Sequence, residues 1–298
     1  MTKSSIVTLS AFAAAAFAGT AFAGTTVAPA AKTTKEVVKE SCITGDLGVD
    51  FTSNYISRGI PQENQGFIAQ PYLDLYFKLY EGSGALTKVT ANLGLWSSIQ
   101  THRNPLADTN VREWYEFDYS AGLTFQFGNF SVTPAFVALL SPNDVFATSY
   151  NAQVTLAYDD SSALGAFALH PHVTVLGEID GKAGSGPDTG FYYEIGVAPS
   201  VKVGEGTLSF PLTVGLGSNG FYGDSTGLGG DDTYGYFSAG VNLEYPLHFI
   251  PECLGAWAVK AQATYYNLGD NAAASGNPLV THGEKDQYSF GGGLVVRF

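Results

Sequence analysis

Seven apolar or aromatic residues occupy every second position from Tyr115 to Phe127: Tyr115, Phe117, Tyr119, Ala121, Leu123, Phe125 and Phe127. Interleaved with and flanking them are Arg112, Trp114, Glu116, Asp118, Ser120, Thr124 and Gln126. A period of two belongs to an extended strand with one apolar and one polar wall. The same alternation sets Leu47, Val49, Phe51 and Tyr55 against Asp46, Asp50, Thr52, Asn54 and Arg58. It returns with Leu73, Leu75, Phe77 and Leu79 against Gln70, Tyr72, Asp74, Tyr76 and Lys78, then with Val89, Ala91, Leu93 and Leu95 against Lys88, Thr90, Asn92 and Trp96. Further segments near 130–140, 147–158, 166–177, 191–203, 207–217, 234–245, 256–267 and 287–298 bring the expected count to twelve, with ten or fourteen as alternatives.

Alternation alone also suits a secreted β-sandwich. Two features favour a membrane barrel. Only 14% of residues are charged, against about 25% in soluble domains, so much of the surface is not built for water. The apolar wall is also rimmed by Tyr115, Phe127, Tyr193, Tyr245, Trp257 and Phe298, residue types that suit a membrane interface. Tight turns at Gly82-Ser83-Gly84, Gly128-Asn129 and Gly204-Glu205-Gly206 alternate with polar stretches at 100–110, 178–190, 218–232 and 268–285. Short turns at one end and long loops at the other are a barrel feature, and closure removes strand edges that lipid cannot solvate. The expectation is therefore an all-β chain whose residues 45–298 form an antiparallel transmembrane β-barrel in contact with outer-membrane lipid. An even strand number places both ends of the barrel on the periplasmic side.

Lys3, the apolar stretch from Ile6 to Phe17 and Ala21-Phe22-Ala23 predict an export signal over residues 1–23. The stretch is too short for a membrane anchor. Residues 24–44 have little to bury and predict a periplasmic linker. Export permits a disulfide between Cys42 and Cys253, the two cysteines of the chain, which the alternation puts at the same end of the barrel.

With 27 acidic and 14 basic residues, a net charge of -13 argues against nucleic acid as a partner. The polar walls carry Asp46, Asp50, Asp74, Glu116, Asp118, Glu194 and Glu244, matched by Arg58, Lys78, Lys88, Arg112, Lys202, Lys260 and Arg297. A base on the lipid face at mid-membrane costs about 2–4 kcal/mol, so this segregation marks a lumen. Such charges can line a pore or pair across a plugged barrel. The excess acid lies in the long loops: Glu63, Asp108, Asp144, Glu178, Asp180, Asp188, Asp224, Asp231, Asp232, Asp270, Glu284 and Asp286 against Arg103, Lys182 and Lys285. An acidic mouth would concentrate cations.

Catalytic and metal chemistry is not evident. His170-Pro171-His172 would put two imidazoles on one side of a strand, but no third ligand accompanies them, so lumen-facing polar side chains are the expectation. Gly223 to Asp232 lacks the ligand spacing of a calcium loop, and His102 and His282 fall in outer loops. Ser, His and Asp form no local motif, so neither an enzyme nor a cofactor is expected.

Tyr288-Ser289-Phe290-Gly291-Gly292-Gly293-Leu294-Val295-Val296-Arg297-Phe298 resembles the terminal strand of bacterial outer-membrane proteins, which the barrel-assembly machinery reads. Ser53-Asn54-Tyr55-Ile56-Ser57-Arg58-Gly59 looks like the opening of the TorF-type porins and related uncharacterised Gram-negative outer-membrane β-barrel proteins. Phe191 to Pro199, Phe210 to Gly217 and Tyr234 to Gly240 resemble the same group. The resemblance implies an outer-membrane location and a pore. Together with the acidic loops, it points to passive diffusion of small hydrophilic solutes or ions with a preference for cations. A non-conducting structural or surface-interaction barrel is the alternative reading.

Overall fold

The computed structural model describes residues 41–186, 188–218, 220–223, 232–275 and 283–298. The expected signal segment, and the expected linker up to residue 40, lie outside them. Among the described residues the first strand begins at Ile43, two residues before the expected start of the barrel.

The strands are β1 (Ile43–Thr52), β2 (Tyr55–Ser57), β3 (Ile60–Glu63), β4 (Ile68–Glu81), β5 (Lys88–Gln100), β6 (Trp114–Phe127), β7 (Phe130–Leu140) and β8 (Ser149–Tyr158). They continue with β9 (His172–Asp180), β10 (Phe191–Val197), β11 (Ser200–Val203), β12 (Gly206–Ser209), β13 (Leu212–Gly217), β14 (Tyr234–Pro246), β15 (Ala256–Leu268) and β16 (Asp286–Arg297). Among the described residues two short helices, α1 (Ser161–Leu164) and α2 (Asp270–Ser275), sit in connections.

All wall pairings are antiparallel, and β1 closes the ring by pairing with both β4 and β16. Sixteen strands reduce to twelve staves for a physical reason. Pro199 separates β10 from β11 and Pro211 separates β12 from β13, because proline has no N–H to give to the ladder. The chain stays on course at both breaks: Pro199 O accepts Phe210 N–H (2.8 Å) and Pro211 O accepts Gly240 N–H (2.8 Å). β2 and β3 stand apart as a two-stranded sheet of their own. The barrel is thus closed, antiparallel and twelve-stranded, as the alternation predicts.

The outer wall carries exposed Leu47, Phe51, Leu93, Leu95, Leu123, Val154, Ile195, Val241 and Leu294, while the positions between them face inward. Tyr193, Tyr245, Phe127 and Phe298 are exposed at the rims as expected. Tyr115 is not. The β5–β6 register shifts between Ser98 and Ile99, and such an irregularity breaks strict alternation. Trp114 consequently turns outward and Tyr115 becomes buried.

The end opposite the C-terminus, the outer one in the expected orientation, carries the connections 53–67, 101–113 and 141–148 and the described residues of 181–190, 218–233 and 269–285. The inner end carries 82–87, 128–129, 159–171, 204–205 and 247–255. The strand expected from 166 begins only at His172, because 159–171 is a turn built by α1, a following 3₁₀ turn and the carboxylate of Asp160.

Candidate functional site

The segment Ser53–Gln62 does not continue the first stave. β1 ends at Thr52, and the chain then folds into the lumen as the β2–β3 hairpin, so Tyr55 is a lumen residue rather than part of the apolar outer wall. The reversal is made at Arg58 (φ 48°) and Gly59 (φ 81°), a two-residue hairpin turn with both residues left-handed. Gly59 is required twice over, since a Cβ there would also stand 2.7 Å from the Tyr236 ring.

The hairpin is held from two sides. Tyr55 packs with Ile68, Trp96 and Tyr115, and donates its hydroxyl to Glu116 Oε2 (2.6 Å). Tyr115 donates to Gln62 Oε1 (2.6 Å). Across the lumen, Ile60 is buried with Leu176, Tyr192, Phe221, Tyr222 and Tyr236 and with Ala272 and Ala273 of α2. Burying a side chain of this size contributes about 1.5–3 kcal/mol. Tyr222 then donates to the Arg58 carbonyl (2.6 Å), fixing the turn. Glu63 closes the hairpin at its other end: Oε1 accepts the N–H groups of Asn64 (2.9 Å) and Gln65 (2.8 Å), and Oε2 lies 3.0 Å from His102 Nδ1. Glu63 and His102 were expected at the loop surface, yet Glu63 is 1% exposed.

Below the hairpin the wall is laced by charged groups. Lys260 Nζ lies 2.6 Å from Asp50 Oδ1, donates to Tyr72 OH (2.9 Å), and sits 4.7 Å from the centre of that ring. Arg297 grips Glu244 with two parallel bonds of 2.7 and 2.8 Å, and its Nε lies 3.4 Å from Asp46. Glu194 accepts the hydroxyls of Tyr192 (2.8 Å) and Tyr236 (3.0 Å) and faces His172 Nε2 at 3.3 Å.

The seven-to-seven balance of lumen charges does not hold. Asp46, Asp50, Asp74, Glu116, Asp118, Glu194 and Glu244 all lie inside, and Glu63 joins them. Of the bases, Arg58, Lys260 and Arg297 accompany them, and Lys78, with a side chain 19% exposed, faces inward from β4 as Asp74 does. Arg112 is exposed in the 101–113 connection, where its Nε donates to Thr109 O. Lys202 is exposed near the inner rim and donates to Thr207. Lys78 pairs with Glu81 (2.9 Å) at the same end, and Lys88 opens β5 beside them. Asp118 and Arg58 are both buried, and Nε and Nη2 of Arg58 have no hydrogen-bond partner. Alternation identified the inward acids; the hairpin that brings Arg58 to them is a long-range arrangement with no periodic signal.

The outer acids are dispersed. Asp180, Asp188 and Glu284 are exposed, Asp232 accepts Tyr234 N–H, and Asp270 is paired with Lys285 (2.5 Å). Asp224 and Asp231, like His282, fall outside the described residues.

His170 and His172 do not share a face. His170 sits in the turn at φ 49°, near Asp159 and Asp160, whereas His172 opens β9 and faces Glu194. The Asp159, Asp160 and His170 ligand atoms lie within 4.8 Å of one another. Both Asp160 oxygens already accept backbone N–H bonds, and Asp159 Oδ1 accepts bonds from Ser161, so the cluster is committed to shaping the turn. Burial acts to raise the Asp160 carboxyl, and the N–H groups of His170 and Leu169 overcome it, leaving the group below the ordinary aspartate value.

The expected Cys42–Cys253 bridge is not made. Both thiols are free and exposed. Ala256 pairs with Arg297, which also pairs with Asp46, so β16 separates the two staves that lead to the cysteines.

A closed ring of strands with an apolar exterior satisfies its backbone without water, so this is an outer-membrane barrel in contact with lipid. No protein-family model matches the chain, and no curated protein matches it. Among solved structures it is similar to the NanC porin (13% identity, 84% of this chain and 98% of that one, TM-score 0.47). It is also similar to the β domain of the Bordetella autotransporter BrkA (10% identity, 85% and 98%, TM-score 0.41). OmpF of Salmonella typhi in complex with daunomycin is a third (11% identity, 86% and 97%, TM-score 0.36).

Proposed function

We propose that the chain is a porin of the TorF type: a narrow, passive channel for small hydrophilic solutes or ions that prefers cations. The observation that carries this reading is the excess of inward carboxylates over the inward bases Arg58, Lys78, Lys260 and Arg297. In a low-dielectric lumen such an excess attracts cations and repels anions. Exposed Asp180, Asp188 and Glu284 add the same sign at the outer mouth. Assembly proceeds through recognition of β16 and Phe298 by the barrel-assembly machinery.

One feature favours the non-conducting alternative, namely the apolar anchoring of the hairpin across the lumen. Current recorded from refolded protein in planar bilayers separates the two. A salt gradient is expected to give a reversal potential of cation-selective sign at low salt. The preference should shrink as the Debye length falls from about 10 Å at 0.1 M to about 3 Å at 1 M. Anion selectivity overturns the preference, and absence of current overturns the channel.

A further inference from the structure

The hairpin is sealed to the wall by apolar clusters on two sides but by polar groups on the third. On that side, against β1, β4, β15 and β16, lies a cavity of about 50 Å³. A void of about 10–15 Å³ in this measure holds one water, so there is room for a few waters or one partly hydrated ion. Asn54 and Ile56 line it from the hairpin base, and Thr52, Gln70, Gln262, Thr264, Tyr266 and Ser289 from the wall. The wall is recessed here because Gly291, paired with Thr52 and Gln262, has no side chain; a Cβ would meet Phe51 O at 2.5 Å.

Seven of the eight lining residues offer a side-chain oxygen and none is charged. Asn54 spends its amide N–H groups on Gln287 Oε1 (3.1 Å) and Tyr288 O (3.4 Å), and its carbonyl Oδ1 is buried without a partner. Gln70 is 1% exposed, and neither its oxygen nor its nitrogen is bonded, so either amide orientation presents an unmet oxygen. Buried acceptors of this kind need a donor or a cation. Divalent ions are held by carboxylates, whereas neutral oxygens can replace the hydration shell of a monovalent ion.

We propose that this cavity binds one partly dehydrated monovalent cation and is the narrowest station of the conduction path. It rests on the channel reading above. The test is anomalous diffraction from crystals of the protein grown in rubidium chloride. A rubidium peak within coordination distance of Asn54 Oδ1 and Gln70 Oε1 is expected, lost in Gln70→Leu and weakened in the near-isosteric Thr264→Val. Gln153→Leu, on the far wall, should keep it. Ordered water alone in the cavity, or a peak that survives both substitutions, overturns the site. Rubidium bound in a barrel that passes no current leaves the site standing and sinks the channel. Rubidium current through a barrel whose cavity holds only water does the reverse.

Discussion

Tyr55 on the inner hairpin donates its hydroxyl to Glu116 on the barrel wall across 2.6 Å, joining residues 61 positions apart in the chain. That bond ties the plug to β6, and the packing around it decides how firmly the lumen is filled.

Tyr55→Phe removes the donor while keeping the ring among Ile68, Trp96 and Tyr115. Loss of a partner by a buried carboxylate costs about 1–3 kcal/mol. The expected result is a lower unfolding temperature of the heat-modifiable band in detergent gels, with the barrel still formed. Glu116→Gln keeps an acceptor and should cost less; equal losses would show that the bond is not the anchor.

Replacing Tyr55–Glu63 by a short Gly/Ser loop removes the hairpin from the lumen without touching a wall ladder. Unit conductance should rise relative to the intact protein. An unchanged conductance would mean that the constriction lies elsewhere.

Asp50 and Lys260 form a buried pair at 2.6 Å. Truncating one partner strands the other at a cost of about 3–5 kcal/mol, whereas replacing both is often close to neutral. Asp50→Asn and Lys260→Met should each lower the midpoint of urea unfolding, and the double variant should recover much of the loss. Additive losses in the double variant would contradict the coupling.

The inner turn 159–171 should open in acid. The Asp160 carboxyl lies below its ordinary value of about 3.9. A depressed folded-state value stabilises the fold above the unfolded value, and that contribution is lost as pH falls through the folded one. Proteolysis with an acid-stable protease should begin to cut this turn below about pH 4, while Asp160→Ala should admit cleavage already at neutral pH. Uniform resistance of the variant would remove Asp160 from its role.

Much of the architecture was legible because a membrane barrel imposes one rule on every stave. Lipid on one side and a polar lumen on the other force a period of two, so the twelve staves and the inward direction of Asp50, Asp118, Glu194, Glu244 and Lys260 follow from local order alone. Periodicity says which residues share a face, but not what the face meets. Tyr55 alternates as well as Phe51 does, yet Phe51 faces lipid and Tyr55 is buried in the lumen. The Arg58–Gly59 turn, the burial of Glu63 against His102 and the burial of Tyr115 beside the β5–β6 register shift were decided by tertiary contacts. Those contacts join residues tens to hundreds of positions apart, so their energies appear only when the ring is closed and the hairpin has walls to meet.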